Sequence, residues 1–453
     1  MRQLAVTWLL CCVTFACSRD AKLDRRVSSS EATPIKELIT GSLEHSRVMP
    51  SAKRALELAK ALTPTQRPQP VATPVKVRRA QGDHFAAATA HSLATAEAQA
   101  ALQRGGNAVD ALVAASVMLT VVTPHSTGIG GGGFAVVWPG GGKPAQALDF
   151  REEAPGAGRL KQYLDAKGRH VAKRSQRHGL AVGVPGYVAG LWALHKRWGK
   201  LPWASLFVGA IDVAHKGFIM SPGLLHATVA TWEQLHLSAR MILYPWHNEP
   251  PSKAVVLRQP QLSETLRAIA IDGPSAFYRG AVAKDIVETV TAQGGVMTMQ
   301  DLSSYKPRWR APLTGNAFGA KVLTMPQPSA GGPQLLAMAE FMAGYLKGRQ
   351  NTSLDSIAGA HALVEAMRHS FELRLAFSGD PKQPATSLNQ VYPRKHRRAL
   401  LKRFDRKKAT ESVRIVPARL PKHINTSHVS IIDSQGMAVS STHTVNPHFG
   451  SGI

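Results

Sequence analysis

The stretch HINTSHVSIIDSQGMAVSSTHTVNPHFGSGI, residues 423–453, decides how the rest of the sequence is interpreted. Residues 428–433 and 437–445 have the pattern of two strands, and Ser434, Gln435 and Gly436 between them are typical of a tight turn. The sequence therefore predicts a β-hairpin. Small hydroxyl residues gather at its open end, where they could perform chemistry.

Thr426 lies where the first strand of this hairpin begins, directly after Asn425. A threonine hydroxyl is a poor nucleophile without a base. Cleavage of the chain between these two residues would supply one, because the freed α-amine has a pKa of about 8 and can accept the hydroxyl proton. On the residues alone, two other interpretations stay open: a threonine that only favours a strand, and a glycosylation acceptor in the sequence Asn-Thr-Ser.

A glycine-rich segment, GIGGGGF at residues 128–134, precedes a predicted strand at residues 135–138. It lacks the Lys-Ser/Thr of a P-loop, and it stands before a strand where a dinucleotide fingerprint would follow one. Nucleotide binding is therefore not predicted. The consecutive glycines instead indicate backbone that is packed too closely for a Cβ atom.

Apolar periodicity gives a coarse outline of the other elements. It predicts two helices within residues 90–122, separated at Gly105 and Gly106, with Asn107 as the N-cap of the second. A second strand is expected at residues 145–150. The remaining predictions are helices at 186–216 and 277–295, a strand, turn and long helix at 322–346, and a basic amphipathic helix within 392–408.

Arg151 stands at the end of the second predicted strand, in LDFREEAPG. A guanidinium group in this place could hold a carboxylate through two parallel hydrogen bonds. It could equally form a local ion pair with Glu152 or Glu153. The sequence leaves both interpretations open.

The charge balance is strongly basic, with 55 Lys and Arg against 29 Asp and Glu and a formal net charge of +26. Such a surface favours anionic partners, although a solvated basic exterior explains it equally well. The sequence has neither the ligand spacing of a zinc finger nor a basic segment with interleaved aromatic residues. Nucleic-acid binding is therefore not expected. All three cysteines precede residue 18, which excludes a cysteine nucleophile and a Cys-based metal site from the body of the chain.

The first 17 residues have the pattern of a secretory leader. Arg2 is followed by an apolar run at residues 4–16, which is too short to span a bilayer as a helix. Cys17 after Ala16 is typical of a lipidation site that would tether an exported protein to the cell envelope; an ordinary cleaved signal peptide is the alternative. Residues 18–82 are basic and contain scattered prolines, and they are interpreted as a tether.

Several long segments together resemble the γ-glutamyltranspeptidase (glutathione hydrolase) family. They are GGNAVDALVAASVMLTVVTPHSTGIGGGGF, LDFREEAPG, GVPGYVAGLWALHKRWGKLPW, MPQPSAGG and the stretch that begins at Asn425, and they occur in the family's order across residues 83–453. The resemblance implies an α+β fold, the four-layer αββα sandwich of N-terminal-nucleophile hydrolases. It also implies a proenzyme that cleaves itself into a large subunit, here residues 83–425, and a small subunit that begins at residue 426.

The same resemblance assigns roles to individual residues. Thr426 matches the nucleophile and Asn425 the residue before the self-cleavage point. Arg151 matches the arginine that binds the α-carboxylate of glutathione or another γ-glutamyl compound, and Asn446 matches a residue at the same end of the substrate. Thr444 matches a threonine that assists the nucleophile. Water, an amino acid or a peptide would accept the γ-glutamyl group, the two subunits would form a heterodimer, and neither a cofactor nor a metal is implied.

The sequence departs from the family pattern in three places. Ser427 replaces a common threonine, and Pro447 and His448 replace small hydroxyl residues. The family also continues past the residue that matches Ile453, with an acidic residue, a Ser-Ser pair and the Gly-Gly of the oxyanion hole. We therefore expect the sandwich to be incomplete in this chain and its own activity to be low, since each missing oxyanion donor costs on the order of 10²–10³ in rate. A related amide acylase and a non-catalytic remnant of the family are the alternatives.

Overall fold

A computed structural model describes residues 81–245, 249–347, 356–410 and 426–453 of the chain. The predicted leader with Cys17, almost all of the predicted tether, and Asn425 lie outside the described residues. The described strands are β1 Ala86–Ala88, β2 Gly132–Trp138, β3 Gln146–Phe150, β4 Phe218–Ile219, β5 Val256–Leu257, β6 Arg308–Arg310, β7 Leu313–Ala317, β8 Ala320–Thr324, β9 Ser427–Ile432 and β10 Ala438–Thr444.

Helices surround these strands along most of the described chain. They are α1 Ser92–Gln103, α2 Ala108–Val122, α3 Ala172–Gln176, α4 Tyr187–Trp198, α5 Val208–Lys216, α6 Pro222–Thr231, α7 Leu237–Leu243, α8 Pro260–Asp272, α9 Pro274–Tyr278, α10 Ala281–Ala292, α11 Met299–Ser304, α12 Gly331–Leu346, α13 Ile357–Phe377, α14 Leu388–Val391 and α15 Arg394–Arg403. The predicted α+β class is confirmed.

Six strands form one antiparallel sheet in the order β1-β9-β10-β2-β3-β6. The hairpin of β9 and β10, predicted from the last stretch of the sequence, is therefore inserted between β1 and β2 in the middle of the sheet. The other described strands form two ribbons, β4-β5 and β7-β8. Within the described residues the six-stranded sheet is the largest of the three.

Helix α2 is the centre of the core beneath this sheet, and all of its residues are buried. A helix that is apolar on every side belongs in an interior. Asn107 caps it as predicted, because its side chain accepts from the backbone N–H groups of Val109 and Asp110. The Asp110 carboxylate in turn accepts from the backbone of Asn107, Lys200 and Leu201, so this buried charge is satisfied by hydrogen bonds.

A second, smaller core lies around β7, α12, α13 and α15. It consists of two separate apolar clusters, one around Leu336 and Tyr392 and the other around Phe341 and Met342. The main core is instead one continuous cluster that extends from α1 to β10. The predicted basic helix is confirmed as α15, and the strand, turn and long helix are confirmed as β8 and α12.

The helical structure predicted at residues 186–216 is confirmed. Two helices, α4 and α5, occupy this range, and a short 3-10 turn, Trp203–Leu206, separates them. Gly199 follows α4 and Pro202 follows shortly after, and both are helix stop signals. The range predicted at 277–295 is similarly divided between the end of α9 and α10.

Candidate active site

One end of the central sheet brings together residues from four strands that are neighbours in space. Ser427 of β9 pairs with His443 of β10, His443 with Gly133 of β2, and Gly133 with Phe150 of β3. The side chains of Ser427, His443 and Phe150 are buried on the face that packs against helices α2 and α4. This row fixes where the next residue of each strand lies.

One step further along, Thr444 pairs with Gly132, and the Arg151 backbone lies against Gly132. Continuing the register of β9 and β10 by one residue beyond Ser427 and His443 would place Thr426 next to Thr444. Adjacent strands are about 4.8 Å apart, so the backbones of Thr426 and Arg151 are separated by about 14 Å. Because side chains alternate between the faces of a strand, these residues belong to the face opposite the buried row. The structure thus places the predicted helper and the predicted clamp at one end of the sheet, and Thr426 directly precedes β9, which begins at that end.

The Arg151 side chain is turned across the sheet towards β10. Its Nη2 donates to Asn446 Oδ1 at 2.9 Å, and its guanidinium group stands 5.8 Å from the ring centre of Phe134. Gly132 lies between the two strands in this row and has no side chain to block the path. The Arg151 side chain is 29% exposed, so a solute can approach it.

Asn446 occupies the turn after β10 with a φ of 68°, a left-handed conformation that asparagine tolerates better than most residues. Its backbone N–H donates to Thr444 Oγ1 at 2.8 Å. The Thr444 hydroxyl therefore stabilises the turn that presents Asn446 to Arg151. Sequence reasoning named all three residues but did not foresee these contacts.

Ser126 and His125, which precede the glycine-rich segment, connect the two ends of the hairpin. Sequence reasoning missed both residues. The Ser126 hydroxyl lies 3.0 Å from the Ser427 hydroxyl, beside Thr426, and the Ser126 carbonyl accepts from Val445 N–H. The His125 carbonyl accepts from Phe449 N–H. This segment therefore fixes the start of β9 relative to the loop that carries Asn446.

Arg177 is a further residue that the sequence did not reveal. Its Nη1 donates to the carbonyls of His448 at 3.0 Å and Gly450 at 2.8 Å. The guanidinium group thus holds the loop that follows Asn446 from the far side. Nothing in the local sequence around residue 177 distinguishes this arginine from the many that face solvent.

Buried histidines lie under and beside the site. Burial lowers the pKa of His443 to about 3, with a smaller effect from His428. The His443 ring contacts Phe150 and Tyr187 and lies 2.7 Å from the Ser441 hydroxyl. Burial, and secondly the nearby His448, lower the pKa of His125 to about 4, so both rings are neutral at physiological pH.

The local ion pair that the sequence left open is also present. Arg151 Nη2 lies 3.3 Å from Glu152 Oε2. Burial raises the pKa of the Glu152 carboxyl, while the Arg151 charge acts in the opposite direction. Arg151 therefore contacts both Glu152 and Asn446, and the two interpretations of this residue are compatible.

The glycine-rich segment serves close packing, as the sequence predicted, at three of its four consecutive positions. A Cβ atom on Gly131, Gly132 or Gly133 would come within 2.5 Å of a backbone carbonyl oxygen of a neighbouring strand or turn. Gly130 is the exception, since a Cβ atom there would meet nothing within 4 Å. Among the described residues, no group of three or more His, Cys, Asp or Glu side chains is arranged to hold a metal ion.

Comparison with known proteins connects this site to one family. The profile of the gamma-glutamyltranspeptidase family matches residues 94–453. The glutathione hydrolase proenzyme of Pseudomonas aeruginosa is 38% identical over 358 residues, which cover 78% of this chain and 62% of that protein. The chain spans less than two thirds of the length of the first curated relatives that it matches.

Solved structures give the same result in three dimensions. The gamma-glutamyltranspeptidase of Helicobacter pylori superposes with a TM-score of 0.66 and 30% identity, over 77% of this chain and 100% of the other. A cephalosporin acylase from Bacillus halodurans superposes with a TM-score of 0.71 and 26% identity, over 85% of this chain and 70% of the other.

Proposed function

The chain belongs to the γ-glutamyltranspeptidase family, and from this premise we propose that the complete protein transfers or hydrolyses the γ-glutamyl group of glutathione and related compounds. The observation that carries the proposal is the arrangement at the sheet end. Arg151 donates to Asn446 in the loop after β10, and Thr426 directly precedes β9, the neighbour of β10 in the sheet.

In this proposal Thr426 Oγ attacks the γ-glutamyl amide carbonyl. Its proton passes to the α-amine of the same residue and then to the departing amine, which leaves as the amide C–N bond breaks and a threonyl ester forms. Water or the amine of an amino acid or peptide then attacks the ester and restores the hydroxyl. An α-amine is a suitable base because its pKa of about 8 lies near neutral pH.

The substrate would lie across β10. Its α-carboxylate would bind the Arg151 guanidinium and the Asn446 side chain, while its γ-carbonyl would reach Thr426. Charge-assisted hydrogen bonds to a guanidinium are roughly twice as strong as neutral ones, which suits the recognition of a carboxylate on a partly exposed surface. Thr444 would act by holding the Asn446 turn.

The α-amine becomes available only if the backbone breaks between Asn425 and Thr426. We propose that the proenzyme makes this cut itself and that the two pieces remain together as a heterodimer. Support comes from the position of the hairpin, because β9 is hydrogen-bonded to β1 and β10 to β2, so a cut before β9 leaves both pairings intact.

We also propose an exported protein that is held at the cell envelope through lipidated Cys17. The leader pattern in residues 1–17 supports this location. Within the described residues, the length and hydropathy of the helices are insufficient for any of them to cross a bilayer.

The alternative function is that of a related amide acylase, and the similarity to the cephalosporin acylase favours it. The Arg151–Asn446 pair argues for the γ-glutamyl substrate, because a free α-carboxylate is the group that such a pair would bind. Among the relatives named above, the identity to the glutathione hydrolase proenzyme is also higher, at 38% against 26% for the acylase.

The proposed function is tested by comparing the complete protein with its Thr426→Ala variant. We expect the parent to separate into two bands on a denaturing gel, with Thr426 as the first residue of the smaller piece, and to release γ-glutamyl groups from glutathione. The variant should do neither, because no other hydroxyl carries its own amine. Thr291→Ala on the exposed side of α10 is the matched control. Glutathione cleavage that survives the loss of Thr426, or a parent that never splits, would contradict the proposal.

Arg151→Lys, with Arg308→Lys as its exposed control, distinguishes the two candidate substrates. Loss of the forked guanidinium should raise KM for glutathione on the order of 10-fold or more and leave kcat less affected. An acylase that does not recognise the substrate's carboxylate would show no selective rise in KM.

A further inference from the structure

The surface around α15 is the most uneven in charge among the described residues. From Arg394 to Lys408 there are nine Lys and Arg residues, and Asp405 is the one acidic residue. Eight of the nine basic side chains are exposed. A solvated helix face usually mixes both signs of charge, because unmixed charge repels itself.

The ninth side chain, Arg397, anchors the helix from the inside. It donates to Glu340 Oε2 at 2.8 Å and to Asn389 Oδ1 at 2.8 Å, and it is 9% exposed. Leu400, one turn further, is buried in the smaller core. The orientation of α15 is thereby fixed.

Four basic side chains lie on the outward face of this anchored helix. Arg394, Lys395, Arg398 and Lys402 are exposed, whereas Arg397 and Leu400 of the same helix are buried. Arg403 lies 3.5 Å from Glu372 of α13, so part of its charge is offset. The outward face defined by those four residues is a fixed cationic surface without an acidic residue of its own helix.

We propose that this outward face of α15 docks on the anionic phospholipid surface of a membrane. Each Lys or Arg near such a surface adds attraction, and a polybasic surface supplements an acyl anchor that binds only marginally alone. The predicted lipidation at Cys17 would supply such an anchor. The proposal does not depend on the chemistry of Thr426.

Lipid fits this face better than nucleic acid. Proteins that bind single-stranded DNA or RNA stack the bases on exposed aromatic rings. The one aromatic residue of this segment apart from His396 is Phe404, and its ring packs against Phe341 at 5.5 Å and Tyr345 at 5.7 Å. The outward face of α15 therefore offers positive charge to phospholipid headgroups but no aromatic ring on which a base could stack.

The test is co-sedimentation of the full chain with vesicles of phosphatidylcholine alone and of phosphatidylcholine mixed with phosphatidylglycerol. The variant Arg394→Gln, Lys395→Gln, Arg398→Gln, Lys402→Gln removes the outward charges and keeps good helix formers. We expect the parent to prefer the anionic vesicles, to lose that preference as salt is raised to about 0.5 M, and to lose binding on the order of 100-fold in the variant.

The matched control removes the same number of charges elsewhere: Arg104→Gln, Lys167→Gln, Arg279→Gln and Lys321→Gln, all exposed. It should bind as the parent does. Thermal unfolding of each variant reports folding, and the single variants Lys395→Gln and Lys402→Gln should each show part of the loss even if the fourfold variant is unstable. Equal loss in the control, no preference for anionic vesicles, or a stronger dependence of DNA binding on the same four residues would overturn the proposal.

Discussion

The sheet with its helices and the loop after β10, residues 86–310 and 426–453, differs from the region of β7, β8 and α12–α15 in how its interior is built. The first has one continuous core, and α2 is buried along its whole length. The second divides its apolar side chains between two small clusters, while Val364, Met367, Phe371 and Leu375 form an exposed stripe on α13. The candidate catalytic residues all belong to the first region.

This difference shows where precise geometry can be maintained. A nucleophile, a guanidinium group and an asparagine must hold their positions to a fraction of an ångström, and residues supported by a continuous core can do so. The second region instead contributes surface properties, such as the charge of α15, that tolerate small displacements. Three measurements of stability test whether the two regions differ in this way.

The largest loss of stability from a single substitution is expected among matched leucine truncations. Leu112→Ala removes a side chain with no exposure from the centre of α2, and Leu400→Ala removes one that is 5% exposed in the smaller core. We expect losses in the free energy of unfolding of about 4 and about 2 kcal/mol respectively, because a cavity in a rigid core relaxes less. Urea unfolding measures both. Equal losses would mean that the two interiors are equally well packed.

A second test concerns the close strand packing that supports the site. Gly133→Ala would place a Cβ atom 2.3 Å from the Thr442 carbonyl oxygen, and Gly130→Ala would meet nothing within 4 Å. The first change should lower the free energy of unfolding by about 3 kcal/mol and the second by less than about 0.5 kcal/mol. Similar values for the two variants would show that the strands can separate to admit a methyl group.

A third test concerns the dependence of stability on pH. His443 and His125 have pKa values lowered by burial to about 3 and about 4, whereas an unfolded histidine binds a proton near pH 6.5. Their contribution is therefore fully present above pH 6.5 and is lost as the pH falls, by about 1.4 kcal/mol per pH unit for each ring. Urea unfolding between pH 6.5 and 5 should show this slope, and His443→Gln should reduce it.

The second region offers the control for that measurement. His369 is also buried, and burial lowers its pKa, but Glu365 and Glu372 at 3.9 Å oppose that shift. His369→Gln should therefore change the slope less than His443→Gln does. A larger change from His369 would reverse the order predicted for the two regions.

Local signals predicted the individual elements well. Asn107 as a helix cap, the hairpin around Gly436 and the strand that ends before Arg151 depend on short-range chemistry, and each is confirmed within one to three residues. Apolar periodicity predicted the helical ranges but not their ends, so it did not specify the break between α4 and α5 at Gly199.

The site itself could be predicted only in part. The resemblance named Arg151 and Asn446, but their hydrogen bond joins residues 295 positions apart, and it depends on a sheet register that no local pattern encodes. Ser126 and Arg177 were missed for the same reason. Their roles come from backbone groups of the loop after β10, which become neighbours only once the sheet is assembled.

The position of β9 and β10 has a consequence for how the protein is made. The two strands that occupy the middle of the sheet are translated about 300 residues after their neighbours β1 and β2. Until the ribosome has delivered them, those neighbours have unpaired edges, and the contacts that close the sheet have a very large sequence separation, which slows folding. The nascent chain thus has a long interval in which chaperones can engage it before the fold is complete.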